Sequence, residues 1–73
     1  MGLDLNRIKA ERVHCGLTQD KMAKKLGMTR NAYAKRESGI VKIGANELVK
    51  IAAILGYDKD HMGIFFTINV PKR

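Results

Sequence analysis

Apolar residues recur along this chain at intervals of three and four, and glycines interrupt the runs. Leu5, Ile8, Arg12 and Cys15 follow one stripe of a helix expected over 5–15, with Arg7, Lys9 and Glu11 elsewhere on its surface and Gly16 at its end. Thr18 has the side-chain oxygen an N-cap needs, Asp20 suits a positive first turn, and Met22, Ala23 and Leu26 mark the inner face of a second helix over 18–26. Gly27 stops it. Thr29 opens a third helix over 29–38 only two residues later, so the two cannot be collinear. After the loop "IVKIG", Gly44 and Glu47 have the spacing of a capping arrangement, and Leu48, Ile51, Ala52 and Leu55 form the apolar face of a helix over 45–55. Asp58 begins a short fifth helix over 59–65 that contains Met62.

At the two ends the period changes from helical to alternating. Leu3 and Leu5 alternate with Gly2 and Asp4, and Phe66, Ile68 and Val70 alternate with Thr67 and Asn69, a strand pattern over 66–70 that Pro71 closes. This strand is expected to pair with the N-terminal segment or with its own copy in a second subunit. The fold class is thus mostly α: five helices, with a short C-terminal strand and a second strand at the N-terminus.

Size narrows the reading. Seventy-three residues make one domain, 1–73, with a compact core. With 45% apolar and 29% charged residues, the chain has enough to bury to fold. The charge is uneven: Lys21, Lys24, Lys25, Arg30, Lys35, Arg36 and Lys42 crowd one stretch in which Glu37 is the only acid, and the whole chain carries +7. Such a stretch suits either a solvated face or a phosphate-bearing partner, and charge alone leaves both open.

Other chemistry is poorly supplied. A lone cysteine, Cys15, excludes an internal disulfide and a Cys-rich metal site. It is expected in the core, with His14 on the surface about 100° away around the helix. His61 has no evident partner. No phosphate loop, carboxylate pair or nucleophile motif occurs, so no catalytic residue, metal, cofactor or small-molecule ligand is expected, nor is an enzyme. No membrane-length apolar run and no secretory or myristoylation signal occurs, which points to the cytoplasm.

The stretch 18–38 is the informative part: two short helices joined by a turn at Gly27, with small Ala23 at their close approach and Met22, Leu26 and Met28 as an apolar wedge. A helix-turn-helix has this form, and its second helix can enter the DNA major groove. The segment "RIKAERVHCGLTQDKMAKKLGMTRNAYAKRESG" followed by "ELVKIAAILGY" resembles the Cro/C1-type helix-turn-helix domain of the XRE family, through "GLTQ", "LG" before the turn, "ESG" and "ILGY" in family order.

The resemblance implies a lambda-repressor-like domain that regulates transcription, a small Cro-like repressor, which binds a two-fold symmetric operator in double-stranded DNA as a homodimer. It implies that Arg30, Asn31, Ala32 and Lys35 face base edges. Thr18, Gln19, Ser38 and Lys42 match phosphate-contacting places. Arg36 stands where the family more often has an apolar or aromatic residue, which makes it a further backbone contact. Arg12 and Glu37 match a structural ion pair. Tyr33 is expected in the core with its hydroxyl at the edge. Phe65, Phe66, Ile68 and Val70 suit either the core or a dimer interface, and the interface is favoured because a domain this small would struggle to cover all four. The same fold also serves in antitoxins and adaptors, where a protein is the main target. The base-facing Arg, Asn and Lys favour DNA over that alternative.

Overall fold

A computed structural model describes residues 2–67 of the chain. In chain order they form β1 (Gly2–Leu3), α1 (Leu5–His14), α2 (Gln19–Leu26), α3 (Arg30–Glu37), α4 (Ala45–Ile54), a 3-10 helix (Lys59–Phe65) and β2 (Phe66–Thr67).

Short polar side chains start the helices by satisfying amide groups that the first turn leaves open. Thr18 Oγ1 accepts the Lys21 N–H at 3.1 Å and Thr29 Oγ1 accepts that of Ala32 at 3.1 Å. Each such cap contributes about 1 kcal/mol. Asp4 does the same for α1, accepting the Arg7 N–H at 3.0 Å. It thereby turns the chain from strand to helix at Leu5, where the helix is expected to begin. Gly44 has no side chain to offer, so only the reverse half of a capping box forms at α4: the Glu47 carboxylate accepts the Gly44 N–H at 3.1 Å. At the other end of α2, Gly27 lies at φ +72°, a left-handed conformation that costs glycine little, and the Met28 N–H closes on the Ala23 carbonyl at 3.0 Å.

The core is built from one face of every helix: Ile8, Met22, Ala23, Tyr33, Leu48, Ile51, Ala52, Leu55 and Phe65. Methyl-sized Ala23 is wholly buried, and α2 packs on both α3 and α4. The two termini meet as a two-stranded antiparallel ladder, Gly2 opposite Thr67 and Leu3 opposite Phe66, extended by the Asp4 N–H donating to the Phe65 carbonyl at 2.6 Å. Of the two pairings open to the C-terminal strand, the described residues take the one with the N-terminal segment. Ile68 and Val70 lie outside the described residues.

Two expectations are corrected. Phe65 is not an interface residue of this fold. It is fully buried, its ring meeting that of Tyr57 edge to face, 5.4 Å between centroids and 89° between planes. Phe66, the next residue, is half-buried and borders an apolar groove of about 360 Å³ with Leu3, Ile43, Leu48, Val49 and Met62. Cys15 is exposed, because α1 ends at His14 and its inward stripe stops at Arg12. The fifth helix has the expected bounds, 59–65, and is of the tighter 3-10 kind, interrupted at His61.

Candidate nucleic-acid interface

An α-helix turns 100° per residue, so the eight residues of α3 divide sharply between two directions. Tyr33 and Glu37, one turn apart, point inward and are buried. Arg30, Asn31 and Lys35 point outward and are exposed, with Ala32 half-buried beside them.

A buried glutamate needs partners, and α1 and α2 supply them. Arg12 grips Glu37 with two parallel hydrogen bonds, Nε to Oε2 at 2.8 Å and Nη2 to Oε1 at 3.0 Å, while its Nη1 donates to the Leu17 carbonyl at 2.7 Å. The Tyr33 hydroxyl donates to Oε2 at 2.6 Å and Gln19 Nε2 to Oε1 at 3.2 Å. Among the described residues no buried side-chain nitrogen or oxygen lacks a partner. Burial alone would raise the Glu37 carboxyl, but the bonds from Arg12, Tyr33 and Gln19 outweigh it and hold the group below the ordinary carboxylate value. Burial, with the Glu37 carboxylate adding to it, pushes the Tyr33 phenol well above its ordinary value. The hydrogen bond to Glu37 raises the Arg12 guanidinium, against burial. The Tyr33 hydroxyl is therefore not at the edge of the core but in a buried ionic cluster.

The outer face is the opposite. The side chains of Arg30, Asn31 and Lys35 have no hydrogen-bond or ionic partner among the described residues, and neither does that of Lys42 in the loop beyond α3. That loop is folded back onto the helix by the Val41 N–H, which donates to the Lys35 carbonyl at 3.1 Å. Ser38, also exposed, donates from Oγ to the same carbonyl at 3.1 Å. Thr18 uses its oxygen as a cap acceptor and keeps its O–H proton for another partner. Gln19 commits one amide proton to Glu37 and has a second.

Arg36 is placed differently from its basic neighbours. Its Nε lies between both oxygens of Glu47, at 3.0 and 3.1 Å, and its Nη1 donates to the Ala32 carbonyl at 3.0 Å. The charge read from the sequence as a backbone contact is matched inside the protein by α4. Lys24, at the back of α2, pairs with Asp20 one turn earlier at 3.3 Å, both exposed.

Some partners were not found from the sequence. Asp4 stood directly before the first periodic apolar residue, where the N-cap rule applies. Asp58 lies three residues before His61 and contacts its Nδ1 at 2.6 Å, a helical spacing that could have been noticed. This contact with His61 holds the Asp58 carboxyl below its ordinary value. The pairing of Arg36 with Glu47 crosses a loop, and no local rule announces it. Among the described residues, no cluster of His, Cys, Asp or Glu is suited to a metal ion, and no helix is long and apolar enough to cross a membrane.

Residues 8–61 match the protein-family model described as helix-turn-helix, which spans most of the chain and includes the whole of α2 and α3. No curated protein and no solved structure matches the chain.

Proposed function

From the premise that this chain belongs to the helix-turn-helix family of the Cro/C1 type, whose members are DNA-binding transcription regulators, we propose that it is a sequence-specific repressor that binds a two-fold symmetric operator as a homodimer. The observation that carries this reading is the row of exposed Arg30, Asn31 and Lys35 on the second helix of the motif, their side chains without a partner among the described residues, over the paired cluster of Arg12, Tyr33 and Glu37.

Each residue has a chemistry suited to its place. Arg30 and Lys35 donate to guanine O6 and N7, Asn31 pairs in bidentate fashion with adenine, and Ala32 packs on a thymine methyl. Thr18, Gln19, Ser38 and Lys42 flank this row and bind phosphates, which fixes register without reading sequence. Gln19 does so while anchored by its bond to Glu37. Two such units on one operator place their α3 helices about 34 Å apart, one turn of duplex. The apolar groove bordered by Phe66, with exposed Val49 beside it, is the surface that supports the homodimer part of the reading.

Selection from a random duplex pool at near-physiological salt, with the protein's mass in solution measured on the same sample, tests this. A two-fold symmetric consensus and a dimer are expected. Retention of duplexes without sequence preference would reject specific recognition and favour the adaptor alternative.

A further inference from the structure

A guanidinium is the side chain best shaped for a phosphate, and Arg36 stands at the rim of the proposed interface with its charge already matched. It follows Lys35 in sequence, one helical step around α3. With Gly39, Val41 and Lys42 it lines a cleft of about 360 Å³ beside the loop proposed to bind phosphate. Its side chain is only 21% exposed.

Glu47 is held in place as firmly as Arg36. The same Oε1 that meets Arg36 Nε accepts the Gly44 N–H, so the carboxylate is fixed at the first turn of α4. Glu47 is an anion at neutral pH, and the hydrogen bond from Arg36, then that from Gly44, keeps its carboxyl below the ordinary value. Among the described residues, this pair supplies the side-chain hydrogen bonds that join α3 to α4.

We propose that Glu47 is a positioning residue that withholds the Arg36 guanidinium from the DNA backbone, and so limits the part of the affinity that is independent of sequence. The inference rests on the DNA-binding reading of α3. A phosphate contact releases counterions whatever the bases are, and steepens the dependence of log K on log[salt] by about 0.9 for each charge engaged. Releasing Arg36 from Glu47 therefore adds one such contact on every duplex alike.

The test is the salt slope of binding to a mixed-sequence duplex for the wild type, Glu47→Gln, Arg36→Gln and the double variant, with thermal unfolding followed on each sample. Glu47→Gln should steepen the slope by about 0.9, Arg36→Gln should leave it at the wild-type value, and the double variant should return to that value. A slope about 0.9 shallower in Arg36→Gln would show Arg36 already on a phosphate and overturn the proposal, even if Glu47→Gln fails to fold. An unchanged slope in folded Glu47→Gln overturns it as well. Steepening that persists in the double variant would assign the effect to the repulsion of DNA by Glu47 itself, with the same consequence. A wild type that does not bind duplex removes the DNA-binding reading, and the inference with it, whereas the other outcomes remove the inference alone.

Discussion

The two faces of α3 use the same kinds of residue for opposite ends. Inward, Glu37 is surrounded by Arg12, Tyr33 and Gln19, and among the described residues no buried side-chain nitrogen or oxygen is without a partner. Outward, the side chains of Arg30, Asn31 and Lys35 make no hydrogen bond among the described residues. A polar side chain contributes to stability when its partners are fixed by the fold, and to recognition when they are not. The contrast teaches that residue type alone does not separate the two. Arg12 and Arg30 differ in what surrounds them.

The largest effect should come from breaking the inner face. Glu37→Ala strands Arg12 and is expected to lower unfolding stability by about 3–5 kcal/mol in urea titration, as is Arg12→Ala, which strands Glu37. Tyr33→Phe, which removes one donor to a charged acceptor and keeps the ring, should cost about 2 kcal/mol.

Acid should weaken the same face. The folded Glu37 carboxyl lies below its ordinary value of about 4.3, so its contribution is present above that pH and is lost as pH falls through the depressed folded value. The stability difference between the wild type and Glu37→Gln is therefore expected to narrow below about pH 4, in paired denaturant titrations. A difference that stays constant down to acid unfolding would show that the carboxylate is not held as an ion.

The outer face should respond in the opposite way. Asn31→Ala or Lys35→Ala should change stability by less than about 0.5 kcal/mol. Each should lose about 1–3 kcal/mol of discrimination at particular base pairs. The smallest and least selective change is expected of Lys42→Ala: weaker binding to all sequences alike and a salt slope shallower by about 0.9.

Much of this arrangement was legible in the sequence, for identifiable reasons. The helices announce themselves because capping and periodicity are local: Thr18, Thr29 and Gly27 act within four residues of where they stand. The motif was legible because its steric demands, small Ala23 and a left-handed Gly27, fall at fixed spacing. Depth was harder. Phe65 and Phe66 are adjacent aromatics, and it is Phe65 that enters the core, against the ring of Tyr57. Cys15 continues the helical stripe of α1 on paper, but the helix stops one residue before it. Arg36 reads as one more free base until the loop brings Glu47 back to it, eleven positions later. Local rules carry no information about such returns, so the engaged and the available charges of this region could not be told apart in advance.

The most direct measurement of the division between the two faces is the base-preference profile of Asn31→Ala beside that of the wild type, selected from the same random duplex pool at the same salt. Loss of preference confined to one or two positions of the consensus, with stability unchanged, is the expected result. An equal loss of affinity on every sequence would contradict it, and would make the outer face of α3 a phosphate-binding surface.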